Sequence, residues 1–121
     1  MLVKATLASL NDANLTGNYA VLHARSSRQV REQLTPQSFF DAFKVFREQG
    51  IDLGPVLTLR PTFSAKPAIG EENRLVLKGH FDTSGQRQRF PAARYDRVAF
   101  DMDFIQSEGA WKMIRVNVDV K

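Results

Sequence analysis

The chain of 121 residues contains no cysteine and only two histidines. Without cysteine it cannot form disulfide bonds, thiolate metal sites or a cysteine nucleophile. A protein metal site needs about three clustered histidine or carboxylate ligands. The two histidines fall on elements that we expect to face different ways, so the sequence predicts no metal site and no bound cofactor.

The sequence also lacks long apolar runs and a glycine-rich phosphate loop. No stretch is long and apolar enough to span a bilayer. The N-terminal residues differ from a signal peptide, because Lys4, Thr6 and Ser9 interrupt their apolar positions. Ser26 and Ser27 have no base placed beside them, so a serine nucleophile is unsupported. These absences remove the signals of the most easily recognised enzyme classes.

What the chain does contain suits a single globular domain over residues 1–121. Hydrophobic residues make up 43% of it and charged residues 25%, and 121 residues is the length of one ordinary domain. Its nine phenylalanines can fill one sizeable core or line the walls of an apolar pocket.

Part of the net charge of +4 is concentrated in the segment 86–97. Asp96 opposes four arginines there: Arg87, Arg89, Arg94 and Arg97. This basic patch is either a solvated loop, which we favour, or a contact surface for an anion, a membrane headgroup or nucleic acid. Nucleic acid is not favoured, since only Phe90 and Tyr95 are interleaved with the charge.

Hydrophobic spacing predicts three helices in the first half of the chain. The first repeats apolar residues at three- and four-residue steps and stops at Gly17. The second spans about 18–26 and places Tyr19 and His23 on one face. Residues 26–34 are predicted to be a polar connection.

The third helix has the clearest boundaries. Thr35 can cap it, and Pro36 suits the first helical position, where a missing N–H costs nothing. Gly50 suits a left-handed ending, with Ile51 closing onto Phe46. The aromatic stripe of this helix is expected to pack in the core.

The second half alternates apolar and polar residues, which predicts antiparallel strands with one apolar face. The predicted strands cover 55–61, 74–83, 97–106 and 110–120, with Gly109 in the last turn. The predicted inward face is Leu75, Leu77, Phe81, Val98, Phe100, Met102, Phe104, Ile114, Val116 and Val118. Helices followed by such a sheet form an α+β fold, in which the helices cover the apolar face.

The opposite face of the sheet is predicted to be polar. Its charged members are Lys78, His80, Asp101, Asp103 and Arg115. They form either a ladder of exposed cross-strand charge pairs, each contributing little stability, or a dimer surface with complementary charges.

Three stretches stand out along this layout: "GNY" at 17–19, "GIDL" at 50–53, and the Gly109-x-Trp111 hairpin. With the order of helices and strands, they resemble an uncharacterised bacterial group in the nuclear transport factor 2-like (cystatin-like) superfamily. The resemblance spans nearly the whole chain except the longer, Arg-rich segment between Phe81 and Val98. It implies a cone, in which a curved antiparallel sheet wraps around three N-terminal helices.

The same resemblance implies an apolar cavity, pairing of two copies through their sheets, and export with a leader outside this chain; otherwise the protein is cytoplasmic. The implied cavity walls are Phe39, Phe43, Phe81, Phe100, Met102 and Phe104. Tyr19 and His23 would be the polar handle of the cavity, or alternatively Tyr19 is buried with its hydroxyl bonded to backbone and His23 is a satisfied neutral residue at the rim of the cone. Because the superfamily pairs through its sheets, we favour the dimer surface for the polar face.

Three functions remain open. The first, which we favour, is a non-catalytic homodimeric domain that binds a small apolar ligand or a protein partner. The second is an enzyme of the isomerase, dehydratase or cyclase kind that uses Tyr19 and His23, although no inward strand residue can take a proton. The third is binding of an anionic polymer or a membrane through the basic patch.

Overall fold

A computed structural model describes residues 2–64, 66–70, 73–86, 95–107 and 109–121. Within these ranges, five α-helices precede an open antiparallel sheet of five strands. The helices are α1 (Leu2–Thr16), α2 (Ala20–Ala24), α3 (Arg28–Gln33), α4 (Pro36–Ala42) and α5 (Lys44–Glu48). The strands are β1 (Thr62–Phe63), β2 (Ala68–Ile69), β3 (Leu75–Asp82), β4 (Arg97–Ser107) and β5 (Ala110–Val120). The predicted α+β class is confirmed, and the cone stays a prediction.

The first helix buries one side in the core. Val3, Leu7 and Leu10 are fully buried, at the three- and four-residue spacing of an amphipathic helix. Asn11 and Asn14 are also buried. Helix α1 therefore carries two amide side chains into the interior, where they need hydrogen-bond partners.

The segment predicted as a polar connection contains helix α3, so that prediction is wrong. The Ser27 hydroxyl caps α3 by accepting a hydrogen bond from the Val30 N–H at 3.2 Å. The Ser27 N–H donates to the Met113 carbonyl of β5 at 2.8 Å, and the Met113 N–H donates to the Arg25 carbonyl at 3.2 Å. Ser26 forms an isolated parallel bridge with Met113. The link between α2 and α3 is thus attached to the edge of the sheet.

The third predicted helix begins and ends as expected but is interrupted in the middle. Thr35 caps it through a reciprocal capping box. Helix α4 stops before Phe43, and α5 continues after it. At the far end, Gly50 has a φ of +63°, and the Ile51 N–H donates to the Phe46 carbonyl at 3.0 Å. This is the expected Schellman ending. With α3, the interruption gives five α-helices in the described residues where three were predicted.

The first predicted strand is also wrong, because part of it forms a 3₁₀ helix over Gly54–Thr58. The Asp52 carboxylate accepts a hydrogen bond from the Gly54 N–H at 2.8 Å. Pro55 fits the first turn, where its lack of an N–H leaves no hydrogen bond unmade. The proline that was taken to bracket a strand instead starts a helical turn.

The sheet has the order β1–β3–β4–β5, and β2 also pairs with β3. Leu77 pairs with Met102, and Met102 pairs with Val116 on the other side. Side chains alternate between the faces of a strand, so these residues share one face. Val98 and Phe100, on the same face of β4, are buried in the core. The predicted alternation of β3 and β4 is confirmed.

Strand β5 contains a bulge that the sequence pattern does not predict. Asp103 pairs with Arg115, but the next residue, Phe104, pairs with Met113. Ile114 is therefore an extra residue, and a bulge reverses the faces of the residues that follow it. Met113 is buried at 3% exposure, in the place predicted for Ile114, which is only half-buried. The inward assignment of Ile114 was wrong.

Gly79 marks a point where β3 and β1 approach too closely for a side chain. A Cβ atom at this position would lie 2.1 Å from the Thr62 carbonyl oxygen and 2.8 Å from Phe63 Cα. Both are backbone atoms, so β1 itself would have to move to admit a methyl group.

We expect Gly79→Ala to lower the free energy of unfolding by about 1–3 kcal/mol, because the added methyl group displaces β1. Gly85→Ala is the matched control, since nothing lies within 4 Å of its added Cβ. The control should change the free energy of unfolding by less than about 0.5 kcal/mol. Urea unfolding followed by circular dichroism measures both variants, and equal stabilities would contradict the close approach.

Candidate functional site

Tyr19 lies just before α2 and is buried among aromatic rings. Its hydroxyl donates to Asn14 Oδ1 and accepts a hydrogen bond from Arg47 Nη1 at 3.0 Å. Its ring stacks on Phe43, with a centroid separation of 6.3 Å, and meets the edge of Phe40 at 6.0 Å. Both the donor and the acceptor capacity of the hydroxyl are thus used by protein groups.

His23 lies one turn further on and has a different polar partner. Its Nε2 lies 2.7 Å from the Leu34 carbonyl oxygen. A carbonyl can only accept, so Nε2 carries a proton. The ring meets the edge of Phe39 with a centroid separation of 6.2 Å. The polar atoms of Tyr19 and His23 therefore point at separate protein partners, although the Tyr19 hydroxyl bonds to two side chains and not to backbone. Their role as ligand handle stays a prediction.

The six predicted cavity walls all belong to one buried cluster. They are Phe39, Phe43, Phe81, Phe100, Met102 and Phe104. The rings of Phe81 and Phe100 lie 5.5 Å apart between centroids, and Phe63 meets Phe100 at 5.9 Å. These side chains fill space against one another, and their contact with a ligand stays a prediction.

A cleft of about 350 Å³ lies between the start of α1, the end of α2 and the β4–β5 hairpin. Its apolar lining, which defines what we term the hairpin cleft, includes Leu2, Ala5, Leu22, Phe104, Trp111 and Met113. Of the predicted cavity residues, only Phe104 belongs to this lining. The others could not be predicted from the sequence, because they come together only through contacts between distant segments.

Two local features build the hairpin cleft. The pairing of Arg25 and Ser27 with Met113 holds the end of α2 against the edge of β5. The bulge at Ile114 then turns Met113 towards the core, and Trp111, two residues away, lies on the same face. The only sequence signal for either feature was the Gly-x-Trp hairpin, which marked the turn.

The charged lining of the hairpin cleft is basic. It includes Arg25 and Lys112, and among the described residues it contains no carboxylate and no histidine. Arg25 is exposed, and no ion pair joins it to a carboxylate in the described parts of the chain. The cleft therefore combines an apolar wall with an available cation.

The polar sheet face, consisting of Lys78, His80, Asp101, Asp103 and Arg115, contains a charge network. Arg115 Nη2 lies 2.5 Å from Asp101 Oδ1 and 3.2 Å from Asp103 Oδ1. Its hydrogen bonds to Asp103 and then to Asp101 raise the pKa of the Arg115 guanidinium above its usual value. Asp103 is only 8% exposed and also lies 3.9 Å from Arg74 Nη1. Two of the predicted dimer-face carboxylates are thus engaged within their own chain.

A second cleft, of about 390 Å³, opens on this polar sheet face. Ala99 of β4 belongs to its lining and pairs with His80 on β3 and with Asp119 on β5. Lys78 is the register partner of Asp101, yet in the described structure no ion pair joins them.

Of the four arginines in the basic patch, only Arg97 lies within the described residues. Arg87, Arg89 and Arg94 lie outside the described residues. Arg97 Nη2 lies 2.9 Å from His80 Nδ1 and donates to it, so this nitrogen of His80 carries no proton. Arg97 therefore lies beside the polar sheet face, and the predicted role of the patch stays a prediction.

A buried polar link that the sequence analysis missed connects α1 to the "GIDL" stretch. Asn11 Nδ2 donates to Asp52 Oδ1 at 2.9 Å, and Asn11 Oδ1 accepts from the Leu53 N–H at 2.8 Å. The Tyr95 hydroxyl donates to the Asp52 carbonyl. Burial, and then the Asp52 carboxylate, raise the pKa of Tyr95 to about 12.

Comparison of the chain with protein-family models, curated proteins and solved structures gave no match. The resemblance stated above thus stays a prediction. No helix in the described ranges has the length and apolar character needed to cross a membrane. Within the same ranges, no three histidine or carboxylate side chains are grouped so that they could hold a metal ion.

The raised pKa of Tyr95 predicts a loss of stability in alkaline solution. Folding favours the protonated phenol, so this contribution is complete below the ordinary pKa of 10.0 and disappears as the pH rises through about 12. We expect the urea concentration at the unfolding midpoint to decrease as the pH is raised from about 10 to about 12. The decrease should be less steep in Tyr95→Phe. Phenolate absorbance should show a tyrosine titrating near 12 that Tyr95→Phe removes; an ordinary titration of both tyrosines would contradict the assignment.

Proposed function

We propose that this protein is a non-catalytic domain that binds a small apolar molecule in the hairpin cleft. The observation that carries the proposal is the cleft itself, with about 350 Å³ of space and a mainly apolar lining. Sites for small molecules usually have roughly 300–1,000 Å³, apolar walls and a few polar groups. For the whole domain we propose the cone of the nuclear transport factor 2-like superfamily. This part of the proposal rests on the three stretches that carry the resemblance.

An enzyme that transfers a proton is the weaker alternative. Such an enzyme needs a base beside its substrate. The described lining of the hairpin cleft offers the cations Arg25 and Lys112, but no carboxylate or imidazole that could accept a proton. Tyr19 and His23, the pair that the enzyme alternative would use, are bonded to other protein groups. Binding is therefore the function that these side chains support best.

We expect Ala5→Phe to weaken binding of 1-decanol by at least about tenfold, because the added ring occupies the hairpin cleft. Trp111 is the only tryptophan of the chain and lines this cleft, so its fluorescence reports occupancy directly. Ala8→Phe is the matched control, since Ala8 is also a half-buried residue of α1 but lies outside the lining. The proposal fails if the unaltered protein does not bind 1-decanol, or if both variants bind it equally well.

We propose in addition that two copies pair through the polar sheet face. A specific observation favours this: Lys78 on β3 has no ion-pair partner among the described residues, because its register partner Asp101 bonds to Arg115. On the opposite side of the face, β5 carries the exposed Asp119, whose pair with Lys121 of its own chain at 3.6 Å is itself exposed and contributes little stability. A two-fold axis between two such faces can bring β3 of one copy over β5 of the other.

Lys78→Glu should weaken the dimer by at least about tenfold, because it places a second carboxylate against Asp119 of the other copy. Lys66→Glu makes the same charge change at an exposed position outside the polar sheet face and should leave the dimer intact. Sedimentation velocity over a concentration series measures both. A monomer at every concentration of the unaltered protein, or a Lys78→Glu dimer of unchanged affinity, would rule out this interface.

A further inference from the structure

Arg25 occupies a fixed position beside the hairpin cleft. It follows the last residue of α2, and its carbonyl accepts a hydrogen bond from the Met113 N–H at 3.2 Å. Its backbone is thereby tied to the same strand that supplies two walls of the cleft. Its side chain is exposed and has no ion-pair partner in the described part of the chain. A long guanidinium side chain that starts at the cleft and is not held elsewhere is available to a ligand.

The other charged residue of the lining is Lys112 of β5, and its side chain has a different direction. Lys112 is the neighbour of Met113 and of Trp111, so alternation directs its side chain to the opposite face of β5. Arg25 is therefore the cation that belongs to the apolar side. Since no carboxylate lines the cleft among the described residues, the charged groups of the lining are all positive and favour binding of an anion.

We propose that the hairpin cleft binds an amphipathic anion, an alkyl carboxylate of the fatty-acid type. This inference rests on the proposed function and names its ligand class. The alkyl chain packs on the half-buried Leu2, Ala5 and Trp111, and the carboxylate pairs with the guanidinium of Arg25. A guanidinium presents a planar fork of N–H donors that matches the two oxygens of a carboxylate, which gives geometric preference as well as charge attraction.

The experiment compares three probes with the same ten-carbon chain and different head groups: decanoate, 1-decanol and decyltrimethylammonium. Each is titrated below its micelle-forming concentration, with Trp111 fluorescence and calorimetry as readouts. We expect decanoate to bind at least about tenfold more tightly than decyltrimethylammonium, since the guanidinium of Arg25 attracts the carboxylate and repels the ammonium group. Raising the salt concentration should reduce this preference.

Arg25→Gln is expected to weaken decanoate binding by about tenfold and to leave 1-decanol binding within about twofold, because it removes the charge but not the apolar wall. Arg60→Gln removes the same charge from an exposed residue outside the lining and should change neither affinity. Arg25→Lys keeps the charge without the fork, so its decanoate affinity should lie between those of the unaltered protein and Arg25→Gln. Circular dichroism establishes that each variant is folded.

The outcomes separate this inference from the proposed function. Equal binding of decanoate and 1-decanol, with no effect of Arg25→Gln, overturns the anion preference while the apolar site stands. If none of the three probes binds the unaltered protein, the proposed function itself fails. If Arg25→Gln does not fold, Arg25→Lys decides. A decanoate affinity equal to that of 1-decanol in this variant overturns the inference. A decanoate affinity above that of 1-decanol but below that of the unaltered protein for decanoate supports it.

Discussion

The arrangement of the helices depends on the buried amide of Asn11 in α1. A buried amide that lacks partners destabilises the fold by about 1–3 kcal/mol, so the structure must supply a donor and an acceptor for it. Both come from one loop: the Asp52 carboxylate accepts from Nδ2, and the Leu53 N–H donates to Oδ1. One helical turn further on, Asn14 accepts the hydroxyl of Tyr19. Helix α1 is thus bonded to Tyr19, which lies just before α2, and to the loop that follows α5.

The same loop connects α1 to the end of the sheet. The Asp52 carbonyl accepts from the Tyr95 hydroxyl, and the adjacent Asp96 N–H donates to the Lys121 carbonyl at 2.8 Å. The Thr83 N–H, just past β3, donates to the Asp96 carbonyl at 2.8 Å. The ends of three strands therefore meet beside a loop that α1 holds in place. At the opposite end of the sheet, Ser26 and its neighbours attach α2 to β5, and the hairpin cleft forms where that attachment leaves apolar surface uncovered.

Local signals predicted much of this fold, because they depend on neighbouring residues alone. The Thr35 cap, the Gly50 ending and the alternation of β3 and β4 all follow from chemistry within a few residues of chain. The bulge in β5 could not be predicted in this way. Met113 and Ile114 are both apolar, so the pattern of the strand is compatible with either of them facing inward. Only the pairing of Phe104 with Met113, a tertiary contact, selects between the two registers.

The candidate site was harder to predict for the same physical reason. Residue type pointed to Tyr19 and His23, since a phenol and an imidazole can both orient a ligand. A buried polar side chain takes whichever partner lies within reach, and here the partners are an asparagine, an arginine and a backbone carbonyl. The hairpin cleft instead draws its walls from α1, α2 and the β4–β5 hairpin, which no sequence spacing relates. The positive charge of the hairpin cleft follows from this construction. Arg115 pairs with the carboxylates of β4 on the opposite face of the sheet. Arg25 lies beside the cleft because its backbone carbonyl is hydrogen-bonded to Met113. Among the described residues, the lining of the cleft combines an apolar wall with the cation of Arg25, and these supply contact area and an electrostatic preference for the ligand that we propose.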